Sequence, residues 1–292
     1  MASLTGVIIV NYNAGDALSR CVESVLAQGV PVRLAIIDNH SSDGSADTVA
    51  SLHVGHEDVN VVLNSDNKGF ARAVNQAAAM PGWNELEYLL ILNPDCELFP
   101  GALETLIDAL GKYPDAGMAG PLVVDRSGQA MRGTFRRFPD PWRSFLTVSG
   151  LWRLGRFLPA FEGVEPAGGV PLSTVPTEAV SGACMLVKQR LFRDAGGMDE
   201  AYGLHCEDLD LMYRLNERGG HCLFVPQARV YHQQGVSSRS RPVWVHWQKH
   251  RGMQRFYSKF QAAQHALPVR WLVVASIWLR FTMTLPLAML RR

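Results

Sequence analysis

Acidic side chains are concentrated between residues 196 and 210 of the chain. The pair Gly196-Gly197 precedes a segment in which Glu207, Asp208 and Asp210 fall within the first turn of a predicted helix. A carboxylate that a substrate can reach is able to accept a hydroxyl proton, which makes it a potential general base. Acidic first turns also stabilise helices, by about 0.3 to 1 kcal/mol per charge. Spacing alone leaves both interpretations open.

Polar side chains also follow three of the predicted strands. The first strand leads into Asn11, Tyr12 and Asn13, the second ends at Asp38, and the fourth ends at Asn93, Pro94 and Asp95. Because ligands bind beyond the carboxyl ends of parallel strands, we expect the three strand tips to border one crevice. Asp38 precedes a turn-forming run, so capping of that turn is the alternative role for it.

Asp95 is a candidate metal ligand, since it is displayed where the chain leaves its strand. A hard cation that bridges two phosphates needs few protein oxygens and leaves coordination positions open for substrate. The alternative is a loop aspartate that caps the helix predicted after Pro100.

These polar positions depend on an alternation of short apolar runs with longer segments of helical period, from Gly6 to about Gly111. This pattern predicts an α/β fold with a mostly parallel sheet. The predicted strands are VIIV, RLAIID, VNVVL and YLLIL, and the predicted helices begin near Asp16, Ser45 and Gly69 and after Pro100.

The second part of the chain is less regular. Residues 125–176 are rich in Gly, Pro and Arg with little periodicity, which predicts a long surface excursion. Its seven arginines and few acids could face anionic headgroups or a diphosphate-linked lipid, and a solvated loop is the alternative. Further on we predict a strand over AVSGACMLV, a short helix over LFRDAGG, a helix over EDLDLMYRLNERGG ending at a glycine, and two strands, CLFVP and ARVYH.

The C-terminal residues differ in kind from the rest. Residues 243–260 are basic and aromatic, and residues 267–290 are strongly apolar but contain Arg270, Arg280 and Pro286. Each arginine would cost about 2.5 to 3.5 kcal/mol at the centre of a membrane span. The composition therefore favours a pair of interfacial helices over a span. A helix packed against the remainder of the protein is the alternative.

Composition excludes several classes of protein. The 292 residues carry a formal net charge of +1 and 47% hydrophobic residues, which is typical of a globular protein and not of a nucleic-acid-binding one. The five cysteines form no CxxC pair, which argues against a zinc site or a disulfide framework. The first residues lack the features of a secretory signal, so we expect a cytoplasmic protein.

Two enzyme classes share the alternating α/β pattern but need a phosphate-binding glycine loop directly after the first strand. These are the nicotinamide dehydrogenases and the nucleotide-sugar pyrophosphorylases. Here NYNAGD follows the first strand, and neither GxGxxG nor GxxxxGK[ST] is present. The sequence disfavours both classes.

An ordered set of motifs resembles glycosyltransferase family 2, and specifically its bacterial rhamnosyltransferase-like members. The set covers roughly residues 5 to 240 and consists of VIIVNYN, IIDNHSSDGS, NKGFARAVN, LLILNPDCEL, SGACMLVKQRLFRDAGGMDEAYGLHCEDLDLMYRL and VYHQQGVSS. The resemblance implies a GT-A fold over residues 1–240. Its nucleotide-sugar-binding half would be residues 1–120, its acceptor-binding half 121–240, and residues 241–292 a C-terminal helical segment.

The resemblance also implies roles for individual residues. In similar enzymes the loop after the first strand and the acid at the second strand tip hold the nucleoside, and the segment that matches residues 67–72 lies beside the donor. Donor binding is therefore expected at Asn11, Tyr12, Asn13, Asp38, Asn67, Gly69, Arg72, Asn93 and Asp95. Arg72 could face the diphosphate, and a solvated helix face is the alternative.

The family's metal motif corresponds to Asn93-Pro94-Asp95, in which Asn93 replaces the usual first acid. A Mg²⁺ or Mn²⁺ ion is then expected on Asp95, with His232 completing the site. The family's catalytic base lies in the pair Glu207-Asp208, and we expect it to be Asp208. The opposite assignment stays open.

The activity that the resemblance implies is transfer of a sugar, with inversion, from a nucleotide diphosphate donor to an acceptor hydroxyl. The first candidate donor is dTDP-rhamnose, with UDP-hexoses as the alternative. The expected acceptor is a saccharide or lipid-linked saccharide at the cytoplasmic face of the inner membrane, in O-antigen or other cell-surface polysaccharide assembly. Because Asn93 weakens the metal motif, a non-catalytic sugar-nucleotide-binding protein is a further alternative.

Overall fold

A computed structural model describes residues 4–233 and 241–290. The last part of the VYHQQGVSS motif, from residue 234, lies outside the described residues. The strands are β1 (Thr5–Asn11), β2 (Val32–Asp38), β3 (Val59–Leu63), β4 (Tyr88–Leu92), β5 (Cys96–Leu98), β6 (Ala116–Val124), β7 (Phe135–Arg136), β8 (Val175–Thr177), β9 (Ala179–Val180), β10 (Cys184–Lys188) and β11 (His221–His232).

The helices begin close to the predicted positions. They are α1 (Asp16–Leu26), α2 (Ser45–Leu52), α3 (Phe70–Ala78), α4 (Ala102–Lys112), α5 (Pro141–Ser149), α6 (Gln189–Asp194), α7 (Glu207–Glu217), α8 (Pro242–Phe260) and α9 (Leu267–Leu290). Gly219 follows the end of α7 in the left-handed conformation, as the glycine-terminated pattern predicts.

The main sheet runs in the order β3-β2-β1-β4-β10-β6-β11-β5, with β8 paired to β11. The pairs among β3, β2, β1 and β4 are parallel, which confirms the prediction for the first half of the chain. Strand β10 is antiparallel to both of its neighbours, and β11 is antiparallel to β5 and β8. The sheet as a whole is therefore mixed.

Beyond β4 the strand predictions were incomplete or wrong in three places. The predicted strand over residues 179–187 is two strands, since a turn at residues 181–183 separates β9 from β10. CLFVP and ARVYH form one strand, β11, whose register against β6 shifts between Val225 and Arg229. The strands β5 and β6 were not predicted, because β5 is only three residues long and β6 contains two glycines and a proline.

Helices cover both faces of the main sheet. One buried cluster packs α1 and α4 against the sheet, and the other packs α3, α6, α7 and part of α8 against the opposite face. Each central strand is buried on both faces and reads as a continuous apolar run. This layering aims the carboxyl ends of β1, β2 and β4 at the same edge of the sheet.

The excursion over residues 125–176 contains more structure than its composition predicted. It forms β7, which pairs with β9, and the helix α5, whose first turn is capped by the Asp140 carboxylate. Large apolar side chains on this excursion are exposed, namely Trp142, Phe145, Val148, Phe157 and Leu158. The excursion lies beside α8, because Gln261, the residue that follows this helix, donates a hydrogen bond to the Pro139 carbonyl at 2.7 Å.

The C-terminal residues are helical, as predicted, and their two helices, α8 and α9, pack against each other. Of the helices that the structure describes, α9 alone is long and apolar enough to span a membrane, over Leu267–Met289. None of the residues in the most apolar stretch of α9 is buried. The alternative of a helix buried against the remainder of the protein is therefore wrong for α9.

Helix α8, in contrast, is bonded to the acidic segment that precedes and begins α7. Lys259 donates to Asp199 at 2.7 Å and to Asp210 at 2.6 Å, and Arg255 donates to Asp199 at 2.8 Å. Burial acts to raise the pKa of Asp199, but the bonds from Lys259 and Arg255 outweigh it and hold this pKa well below its usual range. Asp210 is fully buried and also accepts from Arg214. Helix α8 is thus part of what positions α7.

Candidate functional site

The acidic segment reaches α7 through a strained turn. His205 and Cys206 both have positive φ, at 66° and 70°, a conformation that residues with a side chain seldom adopt. Gly252 of α8 lies directly against this turn, since a Cβ atom there would lie 2.6 Å from the His205 carbonyl oxygen. Glu207 and Asp208 follow at once and occupy the first turn of α7. Packing against α8 therefore determines where these two acids lie.

Glu207 is buried and has a strongly shifted pKa. Burial, reinforced by the neighbouring charge of Asp208, raises the pKa of Glu207 to about 8. Its Oε2 atom has no hydrogen-bond partner among the residues that the structure describes. A carboxyl group with this pKa is mostly protonated at neutral pH, so Oε2 or Oε1 carries a proton that can be donated.

Asp208 lies in a different environment. Its Oδ2 atom accepts a hydrogen bond from Arg136 Nη2 at 2.9 Å, and its side chain keeps 16% exposure. Gly182 packs against it so closely that a Cβ atom there would lie 2.6 Å from Oδ2. Only glycine leaves room for this carboxylate.

The turn at residues 181–183 connects Asp208 with the tip of the fourth strand. The Ala183 carbonyl accepts a hydrogen bond from the Asn93 backbone at 2.9 Å and one from the Cys96 thiol at 3.5 Å. Gly182, the preceding residue, contacts Asp208. The structure thereby brings the acids of α7 next to the segment Asn93-Pro94-Asp95.

Asp95 and His232 lie together, as expected for a shared metal ion. Asp95 Oδ1 is 3.1 Å from His232 Nε2, because β5 and β11 pair with His232 opposite Cys96. The Cys96 thiol completes a cluster of three potential ligands. Burial raises the pKa of this thiol, so it stays neutral, and a hard cation prefers the carboxylate oxygen. A carboxylate and an imidazole facing each other fit a divalent cation whose other positions are open to phosphate.

Asn11 and Asp38 lie opposite each other at the ends of β1 and β2. Asn11 Nδ2 donates to Asp38 Oδ1 at 2.7 Å. The backbone and hydroxyl group of Ser41 also donate to the Asp38 carboxylate, at 2.9 and 2.5 Å. Asp38 therefore caps the turn that follows it, which was the alternative role that its sequence context left open.

The capped turn holds the loop after β1. Asn13 has a positive φ of 51°, its backbone N–H donates to Ser41 Oγ at 2.9 Å, and its side-chain Oδ1 accepts from Ser42 at 2.8 Å. Tyr12 and Asn13 are half-buried, so parts of both stay accessible. The two loops form one bonded unit at the carboxyl edge of β1 and β2.

The segment with Asn67, Gly69 and Arg72 lies beside this unit and beside the acidic segment. Asn67 accepts from the Gly69 N–H at 3.0 Å, and the Gly69 carbonyl accepts from Asn39 at 3.2 Å. Arg72 is 60% exposed and pairs with Glu200 at 3.1 Å. Arg72 thus lies on a solvated face of α3, which was its alternative role, and pairs there with the acidic segment; its contact with the diphosphate stays a prediction.

Several residues of the site were missed by the sequence reasoning. Arg136 comes from the excursion, where nothing in the local pattern distinguishes it from its neighbouring arginines. Gly182 was read as part of a strand, although a glycine inside an apolar run is a known signal of close backbone approach. Asn75 was read as a helix residue, but it exchanges hydrogen bonds with the Met198 backbone at 2.8 and 3.0 Å.

Residues 6–158, just over half of the chain, match the family described as Glycosyl transferase family 2. The chain is 29% identical to the N-acetylglucosaminyl-diphospho-decaprenol L-rhamnosyltransferase of Mycobacterium tuberculosis H37Rv, over 96% of this chain and 92% of that protein. It is 23% identical to the rhamnosyltransferase WbbL of Escherichia coli K12, over 80% of this chain and 85% of that protein.

Two solved structures show the same fold. The mannosyltransferase PcManGT from Pyrobaculum calidifontis, solved with GDP-Man and Mn²⁺, superposes with a TM-score of 0.60 at 17% identity over all of this chain and 74% of its own. GalNAc-T7, solved with UDP, GalNAc and Mn²⁺, superposes with a TM-score of 0.59 at 17% identity. The match covers 92% of this chain and 53% of the GalNAc-T7 chain, so this chain spans about half of that protein's length. The expected GT-A fold is confirmed. This chain therefore belongs to glycosyltransferase family 2, and within it is a rhamnosyltransferase-like member.

Proposed function

We propose that this protein transfers rhamnose from dTDP-rhamnose to a hydroxyl group of a lipid-linked saccharide, with inversion at the anomeric carbon. The observation that carries the proposal is the pair of unlike acids Glu207 and Asp208, placed beside the strand tip that bears Asp95. The names of the mycobacterial and E. coli relatives support the donor sugar, and that of the mycobacterial one supports the lipid diphosphate acceptor. UDP-hexoses are the alternative donors.

Asp208 is the proposed base because its side chain keeps 16% exposure, whereas Glu207 is buried and its raised pKa keeps it protonated. The acceptor oxygen bonds to C1 of the sugar while the bond from C1 to the diphosphate oxygen breaks. The leaving diphosphate keeps the electron pair of that bond, and Asp208 takes the acceptor proton. Glu207, which is neutral at pH 7, can donate a hydrogen bond to an acceptor oxygen and so orient it.

Asp95 and His232 are the proposed ligands of a Mg²⁺ or Mn²⁺ ion, with Asn93 beside them as a neutral neighbour. Such an ion supplies Lewis acidity for the negative charge on the departing diphosphate. The Mn²⁺ ions in both solved structures of this fold support the proposal. Asp95 and His232 would hold this ion beside β5 and at the end of β11, whereas the proposed base lies on α7.

The donor nucleoside is proposed to lie on the bonded loops at the ends of β1 and β2. Tyr12 and Asn13 offer accessible groups there, while Asn11 and Asp38 act by holding the loops in place. Asn67, Gly69 and Arg72 border the same crevice from α3. The chain is thereby proposed to divide into a donor half up to residue 120, an acceptor half up to residue 240, and the C-terminal helices.

We also propose that the C-terminal helices and the excursion lie on the cytoplasmic face of the inner membrane, where a polysaccharide or O-antigen precursor is assembled. Helix α9 exposes a row of apolar side chains, namely Leu272, Leu279, Met283 and Leu287. Arg270 and Arg280 within α9 and its packing against α8 favour a helix that lies in the interface over one that crosses the membrane.

Replacing the proposed base tests the mechanism. Asp208→Asn should lower turnover by about 10² to 10⁴ while donor binding persists, because the amide keeps the shape but cannot accept the proton. Product formation and equilibrium binding of dTDP-rhamnose measure the two effects. Asp194→Asn, at an exposed helix position, is the control. Full turnover in Asp208→Asn with loss in Glu207→Gln would move the base to Glu207.

Removing the imidazole tests the metal site. Chelation should abolish transfer, and His232→Ala should raise the Mn²⁺ concentration for half-maximal rate by about tenfold or more, since the cation loses a ligand. A metal titration of the rate measures this shift. His56→Ala, an exposed histidine, should leave the titration unchanged. Equal titrations for His232→Ala and wild type would contradict the assignment.

The raised pKa of Glu207 makes stability depend on pH. Between its ordinary value of 4.5 and about 8, the folded protein holds a proton on Glu207 that the unfolded chain has lost. Unfolding therefore becomes easier as pH rises through this window. Glu207→Gln has no carboxyl to titrate, so its free energy of unfolding should fall less than that of wild type as pH rises. The two falls should differ by more than about 1.4 kcal/mol, the value of one pKa unit.

Urea unfolding at pH 5 and pH 8.5 measures the difference between the two proteins. Glu104→Gln, on the exposed side of α4, serves as the control and should follow wild type. Parallel behaviour of Glu207→Gln and wild type at the two pH values would show that Glu207 is ionised in the folded protein.

Charging the exposed face of α9 tests the membrane proposal. The double variant Leu279→Glu, Met283→Glu should reduce binding to anionic vesicles by about tenfold or more, because two carboxylates would have to enter the interface. Co-sedimentation with the vesicles measures binding. Val54→Glu, at an 83% exposed position on the donor half, should bind like wild type. No binding by wild type at low salt would refute membrane contact.

A further inference from the structure

Arg136 occupies a position that the proposed mechanism does not yet explain. It lies on β7, and its Nη2 atom binds the carboxylate of Asp208 at 2.9 Å. Its Nε–H group is buried and has no partner among the described residues. Nε and Nη2 form one edge of the guanidinium group, so only one of the two donors on this edge has an acceptor.

The ion pair with Arg136 hinders the proposed base. The hydrogen bond from Arg136 occupies Oδ2 of Asp208, and Gly182 lies against the same atom, so an acceptor hydroxyl cannot donate to this oxygen while the pair is intact. Protonation of Asp208 would also leave the Arg136 charge uncompensated at a side chain that is only 26% exposed. A ligand that draws the guanidinium away from Asp208 would therefore strengthen the base.

The surroundings of Arg136 favour an anionic ligand on this side of the acids. Burial, together with the charge of Asp208, raises the pKa of the Cys206 thiol, and the positive charges of Arg136 and Lys249 act to lower this pKa. Two cations from different elements, β7 and α8, thus act on the turn that begins α7. A diphosphate is an anion that can accept both donors of a guanidinium edge.

We propose that Arg136 binds the diphosphate of the lipid-linked acceptor and that this exchange frees Asp208 to accept the hydroxyl proton. The proposal rests on the proposed function, because it requires a diphosphate in the acceptor. In the exchange, the Nη2–H bond to Asp208 is replaced by a bond to a phosphate oxygen, and the Nε–H group gains its missing acceptor. No covalent bond changes, and the reaction itself proceeds as described above.

The donor diphosphate is the competing ligand for Arg136. For an inverting displacement the base must lie on the face of the sugar opposite the leaving group, and Arg136 lies at the base. Asp95 and His232, which would hold the cation that neutralises the donor diphosphate, lie beside β5 and at the end of β11. Arg136 is also carried by the excursion, whose exposed apolar side chains are proposed to lie on the lipid. These features favour the acceptor diphosphate.

The test compares two acceptors that bear the same sugar and the same short prenyl chain, one linked through a diphosphate and the other through a neutral ether. Wild type should prefer the diphosphate acceptor in kcat/KM by about tenfold to a hundredfold, the effect of one or two charge-assisted hydrogen bonds. Arg136→Gln should lose this preference through a higher KM for the diphosphate acceptor, with the KM for the donor unchanged. Its kcat on the neutral acceptor should fall by less than its kcat/KM on the diphosphate acceptor, because the neutral acceptor offers Arg136 no phosphate.

A loss confined mainly to the diphosphate acceptor would indicate that Arg136 binds the diphosphate. A merely structural role would lower turnover on both acceptors alike. Arg136→Lys keeps the charge without the fork and should show an intermediate preference. Arg132→Gln, an arginine of the same excursion with a 75% exposed side chain, is the matched control and should behave as wild type. Inorganic pyrophosphate should compete with the diphosphate acceptor in wild type and less in Arg136→Gln.

Three results would overturn the inference. An unchanged acceptor preference in Arg136→Gln would show that Arg136 does not bind this diphosphate. A raised KM for the donor, with the acceptor KM unchanged, would assign Arg136 to the nucleotide. Wild-type transfer to both acceptors at equal rates would remove the diphosphate from acceptor recognition, whereas wild-type failure with every donor would refute the proposed function itself.

Discussion

The buried carboxylate of Asp210 is the contact on which the geometry of the site depends. It is fully buried, and it is stabilised there by Arg214 of its own helix and Lys259 of α8. A buried charge without partners would cost several kcal/mol, so α7 and α8 cannot separate without a large penalty. Lys259 also bonds Asp199, which fixes both ends of the acidic segment. The first turn of α7 is consequently held in one place by a helix that lies far from it in the sequence.

Two neighbouring acids acquire opposite character from this placement. Glu207 lies in a buried position that raises its pKa, whereas Asp208 contacts Gly182 and Arg136 and stays partly exposed. A protonated carboxyl can donate a hydrogen bond, and an accessible carboxylate beside it can accept a proton in the same reaction. The close approach of Gly182 joins this pair to the strand tip at Asn93.

Sequence patterns predicted the first half of the fold well, since its strands are short apolar runs buried on both faces and its helices begin at glycine- or proline-rich turns. They failed where tertiary contacts override local pattern. Strand β6 contains glycines that permit close packing against Val180 and Gly220, and local propensity reads such residues as irregular. The turn at residues 181–183 interrupts an apolar run because its backbone must reach Asn93.

By itself, the sequence determined the chemistry that is available: the acids, the histidine, the order of motifs and the absence of a phosphate-binding glycine loop. These features are local, because each depends on residue type and short spacing. Tertiary structure alone decided that Asn11 bonds Asp38, that Arg72 binds Glu200 and that Arg136 reaches Asp208. Such pairings join residues that are distant in the chain or come from irregular segments. Periodicity carries no information about them, and only the packed fold brings their charges together.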